Sequence, residues 1–258
     1  MSEALDLPTI ASDLDRLLKL RSIPFGMKLF KDAAQMEAIP KIRRPGGSIH
    51  TLDQVVAQAS RLGWTVGVTA ADLNSDQCRS VVGLGGQDEQ WYSGQHMVGV
   101  WYATPADASA HQKAMHTAPR EYAALAVSPL ASGRLDPPDI ALFYATPGAM
   151  MYFINGLQWS GYKRFDWSVV GESACADSWG RALKTREPSL SIPCFAERRY
   201  GGVEDDEMLM ALPVADIERA LQGMDALAKN GLRYPFASYG LQQDVRAGMA
   251  ASYPTRSP

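Results

Sequence analysis

The sequence predicts an α+β protein: one mixed-sheet domain built from two pseudo-symmetric halves, each ordered strand, helix, loop, strand, helix. Short apolar runs bounded by glycine and proline are typical of buried strands, and longer segments with apolar residues three and four positions apart are typical of helices. The step from Cys78 to Cys194 equals the step from Ile23 to Asp139, 116 residues in each case. This common spacing predicts an internal duplication.

The halves are expected at about residues 14–118 and 123–230 of a single domain that spans residues 1–258. Residues 231–258 contain Pro235 and Pro254 together with several glycines and serines, which favours an extended C-terminal arm. Because pockets tend to form where halves meet, we expect the segments around Cys78 and Cys194 to face one cavity.

Element by element, the first half begins with an amphipathic helix that carries leucines at helical spacing. Strands are expected wherever short runs are almost entirely apolar or alternate in polarity. In chain order the predicted elements are a helix over 9–21, a strand over 23–30, a helix over 52–62 that ends at Gly63, strands over 65–69 and 98–104, and a helix over 107–116.

The second half repeats this pattern and ends in a strongly amphipathic helix with Asp216 in its first turn and Lys229 near its end, as the helix dipole favours. Its predicted elements are strands over 123–129 and 140–146, helices over 149–159 and 173–183, a loop around Cys194, a strand over 207–212 and a helix over 214–228.

Composition excludes several classes of protein. The chain has 258 residues, 46% hydrophobic and 21% charged, which is ordinary globular usage rather than disorder. Its formal net charge of −3 includes no broad basic segment, so nucleic acid is not an expected partner. No apolar run reaches the roughly 20 residues that cross a bilayer. Three cysteines are too few for a disulfide framework, and with an acidic N-terminus they predict a cytoplasmic protein.

The densest cluster of reactive side chains follows Cys194. Glu197 and Arg198 come within four residues of it, and a cation nearby would lower the pKa of a thiol. These three residues are candidate catalytic groups. The alternative is a buried, unreactive Cys194 beside a structural ion pair.

His96 lies among aromatic residues and is a candidate both for catalysis and for cofactor binding. An imidazole in such surroundings could ligate haem iron or move a proton, and a hydrogen-bonded core histidine is the alternative. Haem or a single metal ion is the leading cofactor, with Cys78 and Arg199 as further cofactor-binding candidates; the metal ligands themselves stay unknown.

Large aromatic and methionine side chains suit the wall of an apolar pocket, and the substrate-binding candidates are Trp91, Tyr92, Trp101, Met150, Tyr152 and Trp159.

The chain resembles an uncharacterised family, domain of unknown function 169. The residues that carry the resemblance are Leu18–Phe30, Pro138–Leu142, Cys175 and, most specifically, Leu190–Met208. The family carries a further cysteine near the helix at Leu52 that this chain lacks, and the family's Cys-Pro-Gly-Ala motif is here Cys78-Arg-Ser-Val. The resemblance implies no particular activity.

Together these observations predict an enzyme that acts on a small apolar or aromatic compound in an internal pocket, as a haem- or metal-assisted oxidoreductase or as a lyase. A non-catalytic ligand-binding or sensor protein is the alternative. Neither nucleic acid nor membrane is an expected partner, and homo-oligomer formation stays open.

Overall fold

A computed structural model describes residues 6–74, 76–238 and 240–242 and confirms the α+β class. One antiparallel sheet of six strands is its centre, in the order β2-β3-β1-β4-β6-β5. The strands are β1 (Phe25–Phe30), β2 (Val66–Thr69), β3 (Ala124–Pro129), β4 (Ile140–Ala145), β5 (Ser189–Ser191) and β6 (Met208–Leu212).

The strand order is symmetric about the pairing of β1 with β4, in which Phe25 lies opposite Leu142. In the first half, β1 and β2 are joined through helices and run parallel to each other, and β3 lies between them and pairs antiparallel with both. In the second half, β4 and β5 run parallel in the same way, and β6 lies between them. This arrangement is a split βαβ unit. Because the inserted strand separates the parallel strands, all neighbours are antiparallel, where a mixed sheet was expected. Internal duplication of the sequence stays a prediction.

Ten helices surround the sheet in the described part of the chain. Most begin at a residue whose side chain accepts a hydrogen bond from the first turn, such as Asp6, Thr51 and Thr146. They are α1 (Leu7–Leu18), α2 (Ala33–Glu37), α3 (Leu52–Ser60), α4 (Asp76–Val81), α5 (Glu89–Ser93), α6 (Pro105–Ala114), α7 (Pro147–Gln158), α8 (Arg181–Thr185), α9 (Phe195–Gly201) and α10 (Val214–Lys229). None of these described helices combines the length and the apolar character that crossing a membrane requires.

Alternate residues of each strand point to opposite faces of the sheet. One face, here called the helix face, packs Phe143 and Met210 against α1, α7 and α10. The other, here called the cavity face, packs Leu142 and Leu209 against α3 and against Trp179, which lies in a π-helical turn over Ala176–Gly180.

Three predicted elements differ from the structure. Residues 98–104 do not form a strand, because the backbone amides of Val100, Trp101 and Tyr102 all point to the carbonyl oxygen of Met97 and close a compact turn. A loop was expected at the cysteine of each half. The segment after Cys194 is instead the helix α9, and Cys78 lies within the helix α4. Most of the predicted C-terminal arm, residues 243–258, lies outside the described residues.

Candidate active site

A cavity of about 670 Å³ opens on the cavity face. This volume falls within the range of small-molecule sites in proteins. Its wall combines the start of α3, the segments that carry α4 and α5, the chain before the π-helical turn and the start of α9. The wall residues that concern the chemistry are Asp53, Asp76, Cys78, Arg79, Asp88, Trp91, His96, Arg120, Glu172, Cys175, Cys194 and Tyr200.

The three cysteines of the chain come together at this cavity. Each is free and buried. The Sγ atoms of Cys78 and Cys175 lie 3.9 Å apart, and Cys194 begins α9, where its backbone N–H donates to Glu197 Oε2 over 3.1 Å. Segments far apart in sequence therefore bring three thiols to one site.

All three thiols have pKa values above the ordinary value. For Cys175 the cause is the hydrogen bond with Cys78, followed by burial. For Cys78 the bond with Cys175 lowers the pKa, and burial together with the nearby carboxylates outweighs that effect. Burial, followed by the charge of Glu197, raises the pKa of Cys194. The thiols are thus protonated at neutral pH in the structure as it stands.

Asp53 is the most deeply buried carboxyl group on the wall, with 3% of its surface exposed. Its Oδ2 atom lies 3.9 Å from Cys78 Sγ, and its Oδ1 atom has no hydrogen-bond partner among the described residues. Burial raises its pKa from 3.8 to about 6. A carboxyl group with this pKa is present in both protonation states near neutral pH, as general acid–base chemistry requires.

Two further carboxyl groups accompany Asp53. Burial raises the pKa of the half-buried Glu172, whose Oε2 atom is a second buried acceptor without a partner in the described chain. Glu197 lies behind Cys194, fully buried; burial and then the charge of Asp53 raise its pKa. Tyr144 on β4 donates to Glu197 Oε1 over 3.5 Å.

Other residues of the wall supply hydrogen-bond donors. Trp91 is buried, and its Nε1 atom has no partner among the described residues. Arg79 is paired with Asp76 through Nη2, while its Nε atom is buried and unpartnered in the described chain. His96 lies on a short 3₁₀ turn at the exposed rim, where partial burial lowers its pKa.

Of the residues predicted from sequence, the structure brings Cys78, Trp91, His96 and Cys194 to the cavity wall. Glu197 lies directly beneath Cys194. Cys78 lies on α4 and Cys194 immediately precedes α9. Because both line this cavity, the expectation that their segments face one cavity is met.

The other predicted residues are not on the wall. Arg198 donates to the carbonyl oxygens of Pro193 and Glu204, and Arg199 is exposed. Tyr92 stands edge-on behind Trp91 with ring centroids 4.9 Å apart, and Trp101 packs on the surface against Phe195. Met150 and Tyr152 are buried on the helix face, and Trp159 is exposed just beyond α7, because α7 packs on the opposite side of the sheet.

Sequence reasoning missed Asp53, Glu172 and Cys175 as parts of the site. Asp53 stands in the first turn of α3, where an acidic residue is ordinary. Asp53 is buried because α9 packs closely over it. A Cβ atom added at Gly201 of α9 would lie 3.4 Å from the Asp53 carbonyl oxygen. The cysteines could have indicated Cys175, because all three cysteines of the chain line this cavity.

Among the described residues, no group of three or more histidine, cysteine, aspartate or glutamate side chains is arranged to hold a metal ion.

Comparison with known proteins identifies the family to which the chain belongs. The model of the domain of unknown function 169 family, described as "Uncharacterised ArCR", matches residues 13–223. The chain belongs to this family. The predicted resemblance is thereby confirmed over most of the described fold.

An uncharacterised protein of Methanocaldococcus jannaschii is 21% identical over 89 residues, which is 34% of this chain and 38% of that protein. The match thus spans less than half of the length of this relative. No solved structure matches the chain.

Proposed function

We propose that this protein is an enzyme that binds a small polar molecule in the cavity and acts on it by proton transfer, as a lyase does. The observation that carries the proposal is Asp53: a buried carboxyl group on the cavity wall, with one unpartnered oxygen and a pKa of about 6. Perturbed carboxyl groups in a cleft are typical of catalytic sites.

In this proposal ionised Asp53 removes a proton from the bound substrate, and a second acid returns a proton to the leaving group. The three thiols are the acids at hand, since each has a raised pKa and lines the same cavity. The electron pair of the broken C–H bond forms a double bond as the bond to the leaving group breaks, and the leaving group takes its own electron pair and the returned proton. Atoms and charge therefore balance without a redox partner.

The substrate predicted from sequence was apolar or aromatic. The ionisable wall favours a polar molecule, with Trp91 as the aromatic contact. A cytoplasmic setting, in keeping with three free thiols, is part of the proposal.

The test separates an enzyme from a binding protein. Small polar metabolites would be screened for stabilisation of the wild-type chain against heat, and each ligand found would be incubated with protein in deuterium oxide. We expect nuclear magnetic resonance to show deuterium entering the ligand, or elimination, with wild-type protein. Asp53→Asn should abolish this. Asp225→Asn, which changes an exposed carboxylate on α10, should not. Ligands recovered unlabelled and intact would instead favour the non-catalytic binding alternative.

A second candidate, a thiol oxidoreductase, is favoured by the 3.9 Å separation of the Cys78 and Cys175 sulfur atoms. A low-molecular-weight disulfide would be attacked by Cys78, releasing one thiol. Cys175 would then displace the second thiol and close a Cys78–Cys175 disulfide, a two-electron oxidation of the protein.

The raised pKa values of both thiols oppose this reaction. Mass spectrometry after treatment with oxidised glutathione checks it: the loss of two hydrogen atoms in the Cys194→Ser variant, and not in Cys78→Ser, would support it. Haem and a metal ion stay predictions that absorbance and elemental composition of the purified protein would test.

A further inference from the structure

We propose that the ligand of this cavity is a small organic cation, a molecule with an ammonium group held between Asp53 and Glu172. The inference rests on the proposed function, because it names the chemical class of the molecule that the same cavity takes.

The first support is the charge of the wall. Four carboxyl groups line the cavity, those of Asp53, Asp76, Asp88 and Glu172, and only two guanidinium groups, those of Arg79 and Arg120. The Arg79 guanidinium is already paired with Asp76. A fifth carboxyl group, that of Glu197, is buried behind the wall. The cavity therefore has an excess of acids, which a positively charged ligand would neutralise.

The second support is a pair of unused acceptors. Oδ1 of Asp53 and Oε2 of Glu172 are buried without a hydrogen-bond partner in the described chain. A buried acceptor left unpaired destabilises the folded state, and native proteins seldom keep two of them at one site without a reason. The charge of Asp53 also raises the pKa of Glu172, after the effect of burial, so the two carboxyl groups are close enough to interact. An ammonium group has three donors and suits two such acceptors.

The third support is the size and lining of the cavity. Its volume of about 670 Å³ suits an organic molecule rather than a single bare ion. The buried Trp91 ring forms part of the wall, and an indole ring attracts cations. The unpartnered Nε1 atom of Trp91 would donate to an acceptor elsewhere on the ligand.

Affinity for such a cation should depend on pH, because only ionised carboxyl groups form the ion pairs. The charge of Asp53 affects the pKa of titratable groups on four neighbouring segments. They are Cys78 on α4, Tyr144 on β4, Glu172 and Cys175 before and at the start of the π-helical turn, and Cys194 and Glu197 at α9. All of them are acids. The basic groups on the same wall are Arg79, which is paired with Asp76, Arg120 and His96.

The experiment is a calorimetric titration of the full chain with three probes of similar shape: butylamine, butyrate and butanol. We expect butylamine to bind at least about tenfold more tightly than butyrate, which corresponds to one favourable ion pair. Asp53→Asn and Glu172→Gln should each weaken butylamine binding by about tenfold, and Asp225→Asn should leave it unchanged. Butylamine binding should also weaken when the pH falls from about 7.5 to about 5.

Either of two outcomes would overturn the inference: butyrate binding as tightly as butylamine, or both cavity variants binding butylamine like wild type. Preferential binding of butyrate would leave the proton-transfer proposal intact, because that proposal is tested by deuterium incorporation. Butylamine binding without any deuterium incorporation into ligands would keep the cation site and remove the enzyme.

Discussion

The two faces of the sheet are built from the same six strands and have opposite character. On the helix face, apolar side chains of α1, α7 and α10 pack together, and the buried Tyr152 hydroxyl group lies within hydrogen-bond distance of two backbone carbonyl oxygens. On the cavity face, carboxyl, thiol and indole groups are buried, and several of their polar atoms have no partner in the described chain. The helix face stabilises the fold. The buried polar groups of the cavity face lower the stability of the fold and form a site.

The largest expected effect tests the helix face. Phe153 on α7 is fully buried, and its ring meets that of Phe143 edge-on with centroids 4.9 Å apart. Phe153→Ala should lower the free energy of unfolding by about 3–5 kcal/mol, because it removes buried apolar surface and leaves a cavity. Urea unfolding followed by circular dichroism measures this.

The matched control is Met151→Ala, which changes a neighbouring side chain of α7 that is 45% exposed. It should change stability by less than about 1 kcal/mol. Equal effects of the two substitutions would show that the helix face is not the stabilising layer we describe.

The second prediction tests the cavity face, where a substitution of Asp53 should raise the free energy of unfolding instead of lowering it. The pKa of Asp53 is raised from 3.8 to about 6, so the folded protein holds a proton that the unfolded chain has already lost between these pH values. Stability from this group therefore falls as pH rises from about 4 to about 6, and the loss persists above that range. The shift corresponds to about 3 kcal/mol.

Asp53→Asn should accordingly be more stable than wild type at about pH 7.5, by up to about 3 kcal/mol, and should lose this part of the pH dependence. Unfolding free energies at four pH values between about 4 and 7.5 check it. Asp225→Asn, at an exposed position, serves as the control. Parallel pH profiles for Asp53→Asn and wild type would mean that Asp53 is not held in a protonated state by the fold.

The sequence was informative where a single segment decides its own structure. The nearly continuous apolar runs over β1, β3, β4 and β6 could be recognised because strands buried on both faces have this pattern. β5, with three residues, is too short to give a pattern. The alternation over 98–104 misled because Gly99, at a φ of +76°, turns the chain back instead of extending it.

The site was harder to predict than the fold, because it is made of long-range contacts. Cys78 and Cys194 could be related through their spacing, and both do reach the cavity. Asp53 could not be distinguished from an ordinary first-turn acid until α9 was packed over it. Met150 and Tyr152 were assigned to the pocket because bulky side chains are typical of both a core and a pocket wall, and the face to which α7 packs is not encoded in α7 alone.

Of the three substitutions expected to change stability, that of Arg198 should have the smallest effect. Arg198 lies on the cavity-face helix α9 and outside the cavity wall. Its Nε atom donates to the Pro193 carbonyl oxygen over 3.1 Å and its Nη1 atom to that of Glu204 over 2.5 Å. These bonds fasten the segments on both sides of α9. Arg198→Ala should cost about 1–2 kcal/mol of unfolding free energy.

Ligand affinity and any turnover in Arg198→Ala should stay within about threefold of wild type, because a contact that only holds α9 contributes little beyond stability. His96→Ala is the contrasting variant: its exposed rim position predicts almost no change in stability, while its place on the wall predicts weaker binding of the cavity ligand. If Arg198→Ala abolished turnover while the cysteines and Asp53 kept their properties, Arg198 would be catalytic as the sequence predicted. The cavity would then have to extend beyond Cys194 toward the far side of α9.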